Sequence, residues 1–325
     1  MFIPKSVRRI TPVIPEPAPE ITEENATLES IHEMLVGGYQ CPSYILGQAL
    51  NLEGIGVDPQ NPFFYSRDGI LYDRDNNIVR FPARKEYTDE VLNGVTKIGQ
   101  SAFYGHRGDE DVTFPETIVE IGDLAFGNTA FTIFSIGGSV EKIGHSAFAE
   151  AKFFFFDSSG GIQSIGEWAF RKSRSDFMSV SGTYTVIPRG AFFGCQSNLI
   201  DTADSVTIID HGAYAMCSNS DYFCIPPNLI GIGKCAFACC NELYDIELPK
   251  TIRYIHPEAF DGCDILRQIR FKGTVLDLLR IQASSGNISD EVLPLFICRD
   301  QIFKRINARI KRRKRAKAKA ILDNP

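Results

Sequence analysis

The sequence predicts an α/β-type repeat solenoid in which each repeat of 22–23 residues contributes one short parallel strand. The first observation is a phrase that recurs eight times: an apolar residue, two variable residues, Ile, usually Gly, two variable residues, Ala and an aromatic residue. The second is composition, because 24 Phe and a single Trp among 325 residues indicate one Phe-bearing motif used many times. The third is the period, which is too short for a pair of helices but holds a strand, a turn and a return segment.

The copies of the phrase follow one another without a gap, so equivalent positions can be read directly. The motif isoleucines are Ile98, Ile121, Ile143, Ile165, Ile187, Ile209, Ile232 and Ile255, and the motif aromatics are Phe103, Phe126, Phe148, Phe170, Phe192, Tyr214, Phe237 and Phe260. Each repeat can bury these side chains only against its neighbours. We therefore expect them to form columns, with strands stacked about 4.8 Å apart.

The strand of each repeat is predicted to lie before the motif, where apolar residues alternate with others. Alternation places every second side chain on the inner face, and the prolines at Pro115, Pro226 and Pro249 end the strand because proline cannot donate a ladder hydrogen bond. The predicted inward pairs are Val112/Phe114, Phe134/Ile136, Phe156/Ser158, Met178/Val180, Ile200/Thr202, Phe223/Ile225 and Ile246/Leu248. The Gly after the motif Ile is expected to sit in a turn with unusual backbone angles.

Four of the nine cysteines share one position, three residues after the motif aromatic. They are Cys195, Cys217, Cys240 and Cys263, and the earlier repeats hold His106, Thr129, Ala151 and Ser173 there. Small side chains at one phase predict an internal ladder in which Cys behaves as a small hydrophobe, with metal binding or disulfides as alternatives. The set Cys235, Cys239 and Cys240 does not have the spacing of a standard zinc site. The histidines are expected to be exposed turn residues, and no cofactor is predicted.

A resemblance to the BspA-type leucine-rich repeat is carried by Leu248–Leu266, which reads LPKTIRYIHPEAFDGCDIL. Asn61–Lys85 is similar to the β-hairpin cap that precedes such arrays, and Phe271–Leu279 is similar to the segment after the last repeat. Leu293–Phe303 is similar to the closing strand of the family, with Gln301 where a Gly often stands. Members are mostly surface or secreted proteins of bacteria and protists, so the resemblance implies a role in adhesion or in binding host proteins or other cells.

Six segments are predicted along the chain. They are a Pro-rich arm (1–20), a helical N-terminal segment (21–60, with a helix over 22–36), a β-hairpin cap (61–93), a leucine-rich-repeat solenoid of eight repeats (94–272), a C-terminal cap (273–303, with a helix over 275–282) and a basic helical tail (304–325, in a helix over 301–322).

The outward side of the strands is the candidate ligand-binding site, on the concave face of the solenoid. By alternation, the residue seven places before the motif start faces away from the core. At this position the apolar residues are Ile133, Phe155, Phe177, Leu199 and Tyr222, and polar residues beside them include Asp157, Asp201 and Glu247. An apolar stripe with a polar rim is typical of a protein interface; the alternative is a stripe that stacks on itself and stiffens the sheet. Within Phe153–Phe156, two side chains must point outward in either register.

Charge divides the chain into an acidic body and a basic tail. The net charge is −6, whereas residues 304–325 carry ten Lys/Arg and one acidic residue. The candidate residues for binding an anionic partner are Lys304, Arg305, Arg309, Lys311, Arg312, Arg313, Lys314 and Arg315. Such a run either binds nucleic acid or an acidic surface, or is solvated.

No enzyme is predicted, because the sequence contains no Gly-rich phosphate loop, no Gly-x-Ser-x-Gly elbow and no His-Glu-x-x-His pair. No apolar run reaches the roughly 18–20 residues of a transmembrane segment, and no signal-peptide h-region is visible, which favours a cytoplasmic or virion location. The leading interpretation is a protein-interaction module for a protein or cell-surface ligand. The alternative is an intracellular or virion-associated scaffold, anchored through its basic tail to nucleic acid or to an acidic partner.

Overall fold

The structure is a computed structural model that describes residues 2–3, 53–108, 110–218, 222–285, 288 and 292–300. The predicted helices over 22–36 and 301–322, the basic tail over 304–325 and the Pro-rich arm beyond residue 3 lie outside these residues. Five strands precede the repeats: β1 (Phe2–Ile3), β2 (Gly56–Val57), β3 (Phe64–Arg67), β4 (Ile70–Asp73) and β5 (Ile78–Arg80). The described end of the segment predicted to be helical, residues 53–60, therefore holds a strand, which pairs in parallel with β1.

Two series of strands form the repeats. Strands of the first series have two residues each and contain the motif isoleucines: β6 (Lys97–Ile98), β8 (Glu120–Ile121), β10 (Lys142–Ile143), β12 (Ser164–Ile165), β14 (Val186–Ile187), β16 (Ile208–Ile209), β18 (Gly231–Ile232) and β20 (Tyr254–Ile255). Seven strands of the second series each precede a motif: β7 (Val112–Thr113), β9 (Ala130–Ile136), β11 (Lys152–Ser158), β13 (Arg174–Val180), β15 (Gln196–Thr202), β17 (Tyr222–Phe223) and β19 (Asp245–Leu248). Two more, β21 (Gln268–Phe271) and β22 (Phe296–Cys298), continue the series after the last motif.

Each strand pairs in parallel with the equivalent strand one repeat away, which makes a parallel-strand β-solenoid of about nine turns. Strands β7, β9, β11, β13, β15 and β17 form one six-stranded sheet, here called the long-strand sheet. Strands β19, β21 and β22 form a three-stranded closing sheet. The strands of the first series form the short-strand sheets, one of which continues through β5 into the N-terminal strands β4 and β3.

The predicted α/β type is wrong, because the described residues contain little helix. They hold α1 (Val275–Ser285) and two 3-10 helices, at Asp89–Leu92 and Leu293–Leu295. The return segment with the motif Ala and aromatic consists of turns. Around Phe148, for example, Ser146 and Glu150 have φ values of 52° and 60°, and an α-helix of L-residues cannot continue through such angles.

The motif aromatics stack as one column through the core, which confirms that the repeats are in phase. The rings of Phe126 and Phe148 lie 5.3 Å apart with planes 8° from parallel, and the rings of Phe148 and Phe170 lie 5.1 Å apart at the same angle. The same stacking runs from Phe103 to Phe260. Backbone bonds hold the column, because the N–H of Phe148 donates to the carbonyl of Ala169 at 2.7 Å and its equivalents do likewise.

The predicted inward pairs of the long strands are also confirmed. All are buried except Phe223 and Ile225, which are half-buried and pack against the core. Their rings meet the motif aromatics edge-on: the ring of Phe156 lies 5.2 Å from that of Phe148 at 77°.

The Gly after the motif Ile is needed for close approach, so the predicted reason, unusual backbone angles, is wrong. The φ values of Gly144 and Gly166 lie outside the left-handed region. A Cβ on Gly166 would instead lie 2.5 Å from the carbonyl carbon of Gly144 in the preceding repeat. Glycine at this position therefore lets consecutive turns come into backbone contact.

The short-strand ladder is interrupted between β12 and β14, and proline explains the break. In neighbouring repeats the N–H of the residue after the motif Ile donates to the carbonyl oxygen of the motif Ile one repeat earlier, as Gly166 does to Ile143 at 2.8 Å. Pro188 occupies this position after Ile187 and has no backbone N–H to donate to the carbonyl oxygen of Ile165. The ladder therefore divides into two short-strand sheets at this repeat.

The two ends of the array are closed by different elements. At the N-terminal end, β4 pairs antiparallel with β3 and β5. At the C-terminal end, the carboxylate of Asp277 accepts the N–H of Thr274 at 3.0 Å, and the hydroxyl of Thr274 accepts the N–H of Asp277 at 3.2 Å, which caps the start of α1. Within the described residues, no helix combines the length and apolar character needed to cross a membrane.

Candidate functional site

The residues of the predicted stripe share one register position on the long-strand sheet. Phe155 lies opposite Ile133 on one side and Phe177 on the other, Phe177 lies opposite Leu199, and Leu199 lies opposite Tyr222. Ile133 is 37% exposed, and Phe155, Phe177 and Leu199 are half-buried. The side chain of Tyr222 lies outside the described part of the structure. We call this row of Ile133, Phe155, Phe177 and Leu199, after its two central rings, the aromatic column. It lies on the outer face of the sheet and is distinct from the internal stack of motif aromatics.

The two central rings of the aromatic column stack on each other. The ring centroids of Phe155 and Phe177 are 4.9 Å apart and the planes are 13° from parallel. Stacking of this kind stabilises an aromatic pair by about 0.5–1.5 kcal/mol beyond the area that it buries. The contact holds both rings in fixed positions on the outer face of the sheet.

The run of four phenylalanines divides into two inward and two outward side chains, as predicted. Phe153 and Phe156 are buried, whereas Phe155 belongs to the aromatic column and Phe154 is 62% exposed. Both outward residues are adjacent because the pairing of β11 with β9 is interrupted at Phe154, between the paired residues Phe153 and Phe155. Phe154 is absent from the predicted site residues, since strict alternation from Phe155 would have placed it inside.

Polar side chains border the aromatic column on both sides. At the carboxyl ends of the strands, Asp157 is half-buried and Asp201 is exposed. At the amino ends, Lys152 and Arg174 lie opposite each other and are exposed. The column therefore runs between a basic and an acidic border.

Glu247, the third predicted acidic residue, does not lie beside the aromatic column. It belongs to β19 of the closing sheet, and its carboxylate forms a salt bridge with Lys272 at 2.6 Å. The neighbouring pair repeats the arrangement, with Arg270 and Asp245 at 3.0 Å. The outer face of the closing sheet is thus neutralised by its own ion pairs.

The cysteine ladder is confirmed as a buried internal feature for three of its four members, and Cys263, the last, is half-buried and packs against the core. Cys195, Cys217 and Cys240 are buried, and the thiols of Cys217 and Cys240 donate to the carbonyls of Phe192 and Tyr214 in the preceding repeats at 2.9 and 3.1 Å. Burial raises the pKa of Cys195 to about 12. The described cysteines are free thiols, and these three remain protonated and shielded from solvent.

His106 corrects the expectation that the histidines are exposed. It is 2% exposed, because it occupies the position of the internal ladder, and its ring lies 5.2 Å from those of Phe81 and Phe131. Burial lowers the pKa of His106. His145 is exposed, and His211 and His256 are half-buried. No cluster of three or more His, Cys, Asp or Glu in the described ranges is arranged to hold a metal ion.

The predicted anionic-partner residues, from Lys304 to Arg315, lie outside the described residues. The structure therefore neither places them beside the aromatic column nor separates them from it.

Fold and site together define a class: a parallel-strand solenoid of the leucine-rich-repeat type with an aromatic column on the outer face of its longest sheet. The chain belongs to the BspA-type leucine-rich repeat family. The model described as "BspA type Leucine rich repeat region" matches six copies over residues 88–198 and 185–283, more than half of the chain. Leucine-rich-repeat proteins generally serve as protein-interaction or surface-adhesion modules.

Several solved structures are similar to this chain. A leucine-rich repeat protein from Eubacterium ventriosum is 18% identical, with a TM-score of 0.44, and the match covers 80% of this chain and 57% of that one. A leucine-rich repeat protein from Bacteroides ovatus is 16% identical, with a TM-score of 0.28 and coverage of 66% and 77%. For the T. pallidum leucine-rich repeat protein the identity is 18%, the TM-score 0.25 and the coverage 66% and 70%. No curated protein matches the chain.

Proposed function

We propose that this chain is a non-catalytic interaction module that binds a protein or cell-surface ligand through the outer face of the long-strand sheet. The observation that carries the proposal is the group of aromatic side chains on this face: the stacked pair Phe155 and Phe177, with Phe154 62% exposed beside them. Aromatic residues in an apolar patch with a polar border are what protein interfaces use as anchors.

The mechanism of binding is burial of the aromatic column. Phe155 and Phe177 are already half-buried in the free chain, so binding adds only the part of each ring that is still exposed, at about 25 cal/mol per Å² of apolar area. The stacked rings lose little side-chain entropy on binding, because Phe155 already holds Phe177 in place. The bordering charges, including Asp157 and Asp201, supply orientation and association rate more than affinity.

The competing explanation is that the stack only stiffens the sheet. Substitution separates the two, because stiffening acts on the free energy of unfolding and anchoring acts on binding. We expect Phe155→Ser with Phe177→Ser to leave the fold intact and to abolish partner binding, since neither ring belongs to the internal core.

The test is a quantitative pull-down with the full chain as bait and a matched control on another face. Val186 and Ile208 are 41% and 40% exposed and lie on adjacent rungs of a short-strand sheet, so Val186→Ser with Ile208→Ser removes comparable apolar surface elsewhere. The proposal predicts partners that the wild-type and control chains retain and the Phe155/Phe177 variant loses. Equal capture by all three chains, or unfolding of the Phe155/Phe177 variant, would refute it.

A second candidate function is anchoring through the basic tail, which the charge of residues 304–325 favours: ten Lys/Arg against one acidic residue. Binding to nucleic acid by such a run depends steeply on salt, because Lys and Arg displace counterions from the phosphates. The full chain should then bind duplex DNA or RNA at low salt, and a chain that lacks 304–325 should not. Unchanged binding after the deletion would exclude the tail as the anchor.

A further inference from the structure

We infer that the partner segment on this face is an amphipathic helix that lies along the aromatic column, with acidic side chains toward Lys152 and Arg174 and basic side chains toward Asp157 and Asp201. The inference rests on the proposed function, because it specifies the partner of the same face. Three features of the long-strand sheet lead to it: main-chain pairing, the spacing of the rungs and the distribution of unpaired charge.

The main chain of the central strands is not available to a partner. β11 pairs with β9 and β13, and β13 pairs with β11 and β15, so their backbone groups are used within the sheet except at the interruption beside Phe154. A strand cannot be added to the middle of a sheet by main-chain hydrogen bonds. The partner must therefore contact the aromatic column through side chains alone.

The spacing of the rungs favours a helix over an extended segment. Side chains of the aromatic column repeat at the strand separation, about 4.8 Å, and a helix repeats one face every turn, about 5.4 Å. Over the three steps from Ile133 to Leu199 the mismatch accumulates to only about 2 Å. An extended chain presents one face every two residues, about 6.6–6.8 Å, so it is out of step with the column by about 2 Å at every rung.

The two borders lie at the distances that the flanks of a helix reach. Lys152 precedes Phe155 by three residues and Asp157 follows it by two, which corresponds to about 10 Å and 7 Å along a strand. A helix with its side chains is about 10–12 Å across. The flanks of a helix seated on the column therefore lie about 5–6 Å from it. Long charged side chains, Lys152 among them, span the remaining distance of about 1–5 Å to each border.

The charges on these borders are unpaired, in contrast to those on β6, β8 and β10 and on the closing sheet. Among the described residues, no salt bridge engages Lys152, Arg174, Asp157 or Asp201. In contrast, the first short-strand sheet carries a row in which Glu120 bonds Lys97 at 2.8 Å and Lys142 at 3.1 Å, and the closing sheet carries the pairs already described. Where equivalent positions on other faces are neutralised internally, the borders of the aromatic column keep opposite charges free for a partner.

One residue reduces this contrast. Asp176 is exposed and lies between Arg174 and Phe177 on β13, so the amino-end border has two basic residues and one acidic residue beside them. The carboxyl-end border carries Asp157 and Asp201 with the uncharged Ser179 between them. The two borders still differ in sign, and Lys152 is the position where we expect the strongest acidic contact.

The experiment is selection of a displayed library of random 16-residue peptides on the immobilised full chain, in parallel with selection on the Phe155→Ser/Phe177→Ser variant. We expect peptides enriched only on the wild-type chain to carry apolar residues at i, i+3 or i+4, and i+7, with Glu or Asp on one flank and Lys or Arg on the other. Enriched peptides that need Phe155 and Phe177 but lack helical spacing or segregated charge would overturn the helix inference and leave the proposed function standing. Peptides that bind both chains equally would overturn the proposed function itself.

Charge reversal then tests the orientation. For the tightest synthetic peptide, Lys152→Glu with Arg174→Glu should weaken binding about tenfold at low salt, because it removes two favourable border pairs and introduces two repulsive ones. Exchanging the acidic and basic flanks of the peptide should restore most of the loss. The control, Arg84→Glu with Lys250→Glu, changes the net charge equally at exposed positions away from the column and should leave affinity within twofold. An equal loss in both double variants would show that only net charge matters and would refute the inferred orientation.

Discussion

Truncation of Phe148 tests whether the column of motif aromatics holds the solenoid together. The side chain is fully buried, stacks on Phe126 and Phe170, and meets Phe134 and Phe156 edge-on. Phe→Ala in a core costs about 3–5 kcal/mol, depending on how far the cavity can close. The neighbouring rings are fixed at the repeat spacing by backbone hydrogen bonds on both sides, so the cavity closes poorly. We therefore expect Phe148→Ala to lower the free energy of unfolding by about 4–5 kcal/mol.

Phe154→Ala is the matched control, because it removes the same atoms from a ring that is 62% exposed six residues away. Partial burial makes its expected cost about 1 kcal/mol or less. Urea titration followed by far-UV circular dichroism measures the free energy of unfolding of both variants. With a common m-value, the shift of the midpoint from that of the wild-type chain gives the loss of stability in each. A cost of Phe148→Ala no larger than that of Phe154→Ala would refute the in-phase core.

Three further changes probe the backbone and the ladder. Gly166→Ala places a Cβ 2.5 Å from the backbone of the preceding turn, so we expect the free energy of unfolding, measured by urea titration, to fall by at least about 2 kcal/mol. The control, Gly231→Ala, should change it little, because the nearest atom to the new Cβ would be 3.5 Å away. Since burial raises the pKa of Cys195 from 9.0 to about 12, the folded chain keeps a proton that the unfolded chain loses, and the free energy of unfolding falls between pH 9 and 12. Cys195→Ser should make that fall shallower by about 1.4 kcal/mol per pH unit; an unchanged slope would contradict the burial of this thiol. Pro188→Ala supplies an N–H for the carbonyl of Ile165, so the new amide should be protected in hydrogen exchange, and rapid exchange there would show that proline is not the cause of the break.

The repeat itself could be predicted from sequence because the same short motif recurs eight times at a nearly constant period. One copy of the phrase around Phe148 would say little, but equivalent positions at a constant period predict both the columns and the strands. The buried cysteine ladder followed from the same phase. The return segment could not be predicted, since positive φ values fall on residues as different as Ser146 and Glu150, and neither identity favours that conformation strongly.

The candidate face was predictable in register but not in detail. Alternation placed Phe155 and Phe177 outside, but an interruption of pairing at Phe154 exposes a second ring that alternation assigns to the core. Glu247 was expected beside the column and instead pairs with Lys272 on a separate sheet. Both differences depend on how strands meet across repeats, which the hydrophobic pattern of one strand does not specify.

Hydroxyl-radical footprinting of the full chain, with and without the tightest selected peptide, measures most directly which face binds. The account predicts that oxidation of Phe154, Phe155 and Phe177 falls on binding, whereas oxidation of Val186 and Ile208 on the short-strand side is unchanged. Protection of Val186 and Ile208, with the three phenylalanines oxidised as in the free chain, would contradict it.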